Sequence, residues 1–102
     1  MTAPIVELLY WDGCPSHPEA LAMLRGILGE DVPVVVREVV SEEQAAAEGF
    51  AGSPTIRVDG EDLFPIDDPP GLNCRVYRLA DGRYSPTPDP NELRERLRSR
   101  SG

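Results

Sequence analysis

The segment from Ile5 to Leu28 constrains the fold most, because its hydrophobic period changes from that of a strand to that of a helix across one short turn. Ile5-Val-Glu-Leu-Leu-Tyr10 is an apolar run with β-branched and aromatic members, long enough for a buried strand and too short for a helix of its own. Trp11-Asp-Gly-Cys-Pro15 breaks it with turn residues. Pro15 suits the first turn of a helix, where its missing N–H would have no partner in any case. A helix is expected from about Ser16 to Leu28, stopped by Gly29. Within it His17, Leu21, Leu24 and Leu28 are spaced by four, three and four, and Cys14 continues the series backwards by three. This places Cys14 and His17 at the top of the expected buried stripe. Glu19, Arg25 and Glu30 fall off it and are expected to face water.

Val32-Pro-Val-Val-Val-Arg-Glu-Val-Val40 reads as a second strand, with Pro33 tolerable near its start, so the first part of the chain is strand, helix, strand. Ser41-Glu-Glu-Gln44 has the form of a capping box and opens a short alanine-rich helix through about Glu48, ended by Gly49. Thr55-Ile-Arg-Val58 and Glu61-Asp-Leu-Phe64 flank Asp59-Gly60, a strong local hairpin signal, because both central positions of that turn favour φ > 0. Residues 65–73 form an acidic, proline-rich loop. Cys74-Arg-Val-Tyr-Arg78 is one more candidate extended segment, with Asp81-Gly82 as its turn. Pro86, Pro88 and Pro90 exclude regular structure just before Asp89, which is expected to cap a last helix anchored by Leu93 and Leu97. The expected fold class is α/β, a central mixed sheet of about four strands with flanking helices, βαβ then ββα. At 102 residues the chain is expected to be one domain over 1–102, with an irregular insertion at about 65–89.

Charge narrows the partners. Ten arginines, no lysine and 18 acids give a net charge of −8, which repels nucleic-acid backbones and anionic lipid. Nucleic acid and membranes are not expected partners. No apolar run approaches the roughly 18 residues of a membrane helix, and the N-terminus has neither the basic nor the apolar segment of a secretory signal, so a cytoplasmic location is expected. Residues 1–72 hold 14 acids and 3 arginines, whereas residues 73–102 hold 7 arginines and 4 acids. Arg94, Arg96, Arg98 and Arg100 read as the solvated end of the last helix, where the dipole favours cations.

Two cysteines, Cys14 and Cys74, are too few for a small secreted disulfide scaffold or a closed four-thiolate zinc site. No cofactor is expected. A thiolate at a helix N-terminus is stabilised by free backbone N–H groups and the helix dipole, which can bring its pKa from about 8.5 into the range of roughly 3.5 to 7.5. His17, one turn along, could add a charge or a hydrogen bond, while Asp12 and Glu19 oppose the thiolate. The competing reading makes Cys14 a small buried residue and His17 a surface one. Cys74 also has two readings. It approaches Cys14 if the acidic loop folds back over Pro54, or it packs in an extended segment and never meets Cys14.

Tyr10-Trp-Asp-Gly-Cys-Pro-Ser-His17 and Gly52-Ser-Pro-Thr-Ile-Arg-Val-Asp-Gly60, in this order, resemble the thioredoxin-like superfamily over about residues 5–64 plus the last helix. The resemblance implies an active cysteine at the start of the first helix, here Cys14, and a cis-proline beside it, here Pro54. It also implies that Ser53, Pro54 and Thr55 form a place where an extended substrate pairs. Trp11 would cover the helix start, a core role being its alternative. The chain departs from the family's Cys-x-x-Cys, because Cys14-Pro-Ser-His17 has histidine at the position of the second cysteine. It is also similar to small bacterial thioredoxin-like proteins that share Asp-Gly-Cys-Pro, Gly-Ser-Pro-Thr and a late Cys-Arg-x-Tyr, matched by Cys74-Arg-Val-Tyr77; some of these carry an alkylmercury-lyase label.

Three functions follow. In the first, a thiol–disulfide oxidoreductase or redox-active relative, Cys14 attacks a disulfide of a protein or small molecule, and Cys74 or an external thiol resolves the product. In the second, Cys14, His17 and Cys74 hold a soft metal such as mercury(II) in an open site. In the third, the fold serves as a non-catalytic adaptor or dimer, with the hairpin strand at Glu61 to Phe64 as an edge blunted by its acids.

Overall fold

Strand β1 (Val6–Tyr10) is the element around which the others assemble. In the computed structural model, which describes residues 4–101, it lies between parallel β2 (Val34–Glu38) and antiparallel β3 (Thr55–Val58), and β4 (Glu61–Asp62) completes the sheet in the order β2-β1-β3-β4. The register sets Leu8 opposite Val36 on one side and Ile56 on the other. A parallel pair cannot be closed by a tight turn, and helix α1 (His17–Leu28) supplies the crossover between β1 and β2. The protein is therefore α/β, with a mixed four-stranded sheet and three helices, the others being α2 (Glu42–Glu48) and α3 (Pro90–Ser101).

Successive strand residues point to opposite faces, and β1 uses both. Val6 and Leu8 join Ala20 and Leu24 of α1, Ile56 and Val58 of β3, and Leu93 and Leu97 of α3 in one cluster. Leu9 enters a second cluster with Val39, Ala45 of α2 and Phe50. Leu8 and Leu9 are fully buried, each stabilising the fold by about 1.5–3 kcal/mol. The sheet is thus covered by α1 and α3 on one face and by α2 on the other.

Several local expectations hold, with corrections. Asp59 and Gly60 both have positive φ, 53° and 84°, and join β3 to β4. Asp89 Oδ1 accepts hydrogen bonds from the N–H groups of Asn91 and Glu92, capping α3. Ser41 Oγ accepts from Gln44 N–H at 3.0 Å, but the returning arm of the box reaches Val40 N–H rather than that of the cap residue. Helix α1 begins one residue later than expected, at His17 with Ser16 as its N-cap, so Pro15 precedes the cap and Pro18 is the first-turn proline. Its most buried residues are Ala20 and Leu24, with Leu21 and Leu28 only partly covered, so His17 lies at the rim of the stripe.

Strand β2 is shorter than the valine run that encodes it. It is an edge strand, and Val35 and Val36 are 44% and 40% exposed. The other edge, β4, is blunted by ion pairs: Asp62 with Arg75 at 2.8 Å and Glu61 with Arg100 at 2.5 Å. Residues 65–89 are less irregular than expected. β5 (Tyr77–Arg78) and β6 (Tyr84–Ser85) form a two-stranded antiparallel ribbon, and Tyr77 carries it into the first core cluster. Helix α3 has an anchor beyond its two leucines, because Arg96 stacks its guanidinium 4.5 Å from the Phe64 ring centre and donates to Leu63 O. Among the described residues no helix is long and apolar enough to cross a membrane.

Candidate functional site

The turn between β1 and α1 is closed by a hydrogen bond from Cys14 N–H to Trp11 O at 3.0 Å. The indole of Trp11 lies over Gly13 so closely that a Cβ there would fall within 2.6 Å of two ring carbons. The turn is thereby tight, and Cys14 at its end is 1% exposed. Trp11 itself packs against the cluster of Leu9, Val39, Ala45 and Phe50, together with Leu72 from the acidic loop.

That loop folds back on the segment before β3. Gly71 N–H donates to Phe50 O at 2.9 Å, Ser53 N–H to Asn73 O at 2.8 Å, and Arg75 N–H to Ser53 O at 2.9 Å. The last two make an isolated parallel bridge between Ser53 and Cys74. The Cα atoms of Cys14 and Cys74 are then 5.7 Å apart, and the two sulfurs form a disulfide that spans 60 residues. Of the two readings left open for Cys74, the one in which it never meets Cys14 is overturned. The loop residues that look structureless in sequence pair their backbone with residues 50–53 and carry the thiol across.

Ser53-Pro54 is a cis peptide bond. Ser53, Pro54 and Thr55 are buried, and both backbone hydrogen-bonding groups of Ser53 are taken by the chain's own residues 73 and 75. Thr55 Oγ1 donates to Gly52 O. Gly52 has φ of +141°, and a Cβ there would meet Arg75 Cβ at 3.0 Å and its Cα and N at 3.2 Å, so two backbones approach where only glycine fits.

The Cys74-Arg-Val-Tyr77 motif has a physical role as a clamp on this crossing. Arg75, with a side chain 2% exposed, pairs with Asp62, donates to Phe64 O and lies 4.8 Å from the centre of the Tyr77 ring. Tyr77 O–H donates to Pro54 O at 2.6 Å, and burial holds its phenol above the ordinary tyrosine range. Asp62, Phe64 and the carbonyl of Pro54 are thereby tied to the segment that holds Cys74. Sequence reasoning noted the motif through resemblance but gave Arg75 and Tyr77 no task; an arginine directly after a cysteine is the signal that was present.

His17 packs on β1. Its ring stacks on Tyr10, centroids 3.8 Å apart and planes 13° from parallel, and its buried Nδ1 has no hydrogen-bond partner. No family model, curated protein or solved structure matches the chain. Among the described residues no group of three or more His, Cys, Asp or Glu side chains is placed to hold a metal ion. The thiols expected to serve as soft ligands are bonded to each other.

What the arrangement can do is limited by access. Cys74 and Asn73 are exposed, whereas Cys14 is covered. A dithiol–disulfide pair held at bridging distance by backbone bonds and a buried clamp can gain and lose two electrons without the sulfurs having to search for one another.

Proposed function

We propose that this protein is a thiol–disulfide exchange protein of thioredoxin-like type, in which Cys14 and Cys74 interconvert between dithiol and disulfide while a thiol or disulfide of another molecule is oxidised or reduced. The single observation that carries the reading is the disulfide between the turn that precedes α1 and a segment hydrogen-bonded to Ser53. The sheet order β2-β1-β3-β4, with β1 parallel to β2 and antiparallel to β3, supports the thioredoxin-like part. The pair differs from a motif-contained Cys-x-x-Cys because its second sulfur arrives from 60 residues away.

The reading is tested by incubating the reduced protein with hydroxyethyl disulfide, alkylating free thiols at intervals and weighing the products. Stoichiometric conversion to the Cys14–Cys74 disulfide, with release of two equivalents of mercaptoethanol, is expected. A reduced protein that leaves hydroxyethyl disulfide unchanged over hours contradicts it.

A further inference from the structure

We propose that Cys74, and not Cys14, is the sulfur that exchanges with the outside thiol or disulfide, while Cys14 is the leaving and resolving thiol. The inference rests on the redox reading above and reverses the order of attack expected from sequence. Displacement at a disulfide is in line: the entering sulfur approaches from the side opposite the bond that breaks. Cys14 is 1% exposed, in a turn closed by its N–H bond to Trp11 O, so an outside thiolate has almost no surface of this residue to approach. Cys74 is exposed and borders an open cleft of about 260 Å³ whose walls include Ala51, Ile66, Pro69 and Val76.

An outside thiolate gives an electron pair to Cys74 Sγ, the bond between the sulfurs breaks, and its pair departs on Cys14 Sγ. The products are a mixed disulfide on Cys74 and a Cys14 thiolate, which sits just before the N-terminus of α1, on the side where a helix favours negative charge. A second outside thiolate attacks the outer sulfur of the mixed disulfide. This releases the symmetrical outside disulfide and a Cys74 thiolate, so the pair is reduced by two electrons and two outside thiols are oxidised. Both thiolates then take protons from water according to pH. In the other direction the Cys74 thiolate attacks an outside disulfide and expels one thiolate; Cys14 attacks Cys74 Sγ and expels the second.

The clamp makes the second role of Cys14 effective. When the sulfurs separate, Cys74 remains held by the two hydrogen bonds of the Ser53 bridge, by Arg75 on Asp62 and Phe64 O, and by Tyr77 on Pro54 O. Cys14 therefore stays close to a mixed disulfide on Cys74 at high effective concentration.

The test is to treat the oxidised wild-type protein with millimolar glutathione at neutral pH, quench in acid at early times, alkylate free thiols and map the two cysteine peptides by mass. Glutathione on Cys74 with alkylated Cys14, at least tenfold over the converse, is expected. A second arm does not require the adduct to survive: reduced Cys14→Ser and Cys74→Ser variants, checked by circular dichroism for the wild-type fold, are reacted with oxidised glutathione. The variant that keeps Cys74 is expected to react at least tenfold faster. Glutathione mainly on Cys14, or equal or reversed variant rates, overturns the assignment while leaving the redox reading intact. Failure of the native wild-type disulfide to react with glutathione, when the denatured protein is reduced, overturns both.

Discussion

Ser53 and Cys74 are joined by a parallel two-hydrogen-bond bridge, so the sulfur that closes the disulfide on Cys14 is held by the backbone just before the cis-proline. The residue whose backbone was expected to receive a substrate is occupied by the protein's own cysteine segment. The Cys14–Cys74 disulfide and the local structure around Pro54 are therefore one mechanical unit, and several measurements follow from it.

Gly52 is the closest point of that crossing. Gly52→Ala places a Cβ against Arg75 at a backbone angle that side chains rarely adopt, and the expected loss of stability is about 1–3 kcal/mol. Urea unfolding of the oxidised variant measures it. The variant is also expected to form its disulfide less completely than wild type in a given glutathione buffer, because the crossing must open to admit the methyl group.

Arg75 and Tyr77 are expected to hold the segment when the disulfide is absent. Tyr77→Phe leaves the buried carbonyl of Pro54 without its donor, and a loss of about 1–2 kcal/mol is expected. Arg75→Met strands the carbonyl of Phe64 and unpairs Asp62, and a loss of about 3 kcal/mol is expected, with little rescue by Arg75→Lys because one ammonium cannot reach all the partners of the fork. Urea unfolding of the reduced variants isolates these effects. An unchanged midpoint for Arg75→Met would remove the clamp from the account.

Reduction itself removes a cross-link over 60 residues, which the chain-entropy estimate values at about 4 kcal/mol. The reduced protein is expected to stay folded, with unchanged far-ultraviolet circular dichroism and a lower urea midpoint. Collapse on reduction would mark the disulfide as a staple rather than a working pair.

How far the sequence revealed this can be judged residue by residue. The β1 run, the Asp59-Gly60 turn, the Ser41 cap and the Asp89 cap were legible because each is a local preference satisfied by its neighbours. The ends of β2 were not, since a run of valines does not say where an edge strand stops pairing. The meeting of Cys14 and Cys74 was open because three long-range backbone bonds, from Gly71, Ser53 and Arg75, decide it, and no periodicity encodes them. Of the β5–β6 ribbon, the extended segment ending at Arg78 and its Asp81-Gly82 turn were legible, whereas β6 was not, because its two residues are too few to show alternation beside three prolines.

Acid stability has a defined sign. Hydrogen bonds from Arg37 to Glu48 and Glu7 bind β2 to α2 and β1, and the first of these holds the Glu48 carboxyl below the usual carboxylate range. A carboxyl depressed in the folded state contributes stability above its unfolded pKa and loses it as pH falls through the folded value. Glu48→Gln is therefore expected to flatten the acid limb of the stability curve, which urea midpoints between neutral pH and pH 3 would record. An acid limb as steep as wild type would assign the loss to other carboxylates.

The cleft beside Cys74 is expected to select by charge. Asp68 borders it, and among the described residues the one cation lining it, Arg75, is buried on Asp62 and Phe64 O. Cysteamine is expected to reduce the disulfide roughly threefold faster than thioglycolate, after each rate is divided by that thiol's rate with neutral hydroxyethyl disulfide. Asp68→Asn and added salt are each expected to narrow the ratio. A ratio of one at low salt in the wild type would show that charge at the cleft plays no part.

The central claim is that Cys14 and Cys74 are a reversible two-electron couple, and a redox titration of the native wild-type protein tests it most directly. The protein is equilibrated from both oxidised and reduced starting states in a series of glutathione buffers, and the fraction of disulfide is read by alkylation and mass. Coincident curves that fit a single two-electron transition, with a midpoint above about −300 mV, are the expected result. A disulfide that persists in every buffer and yields only after unfolding, or cysteines that never join, would contradict the account.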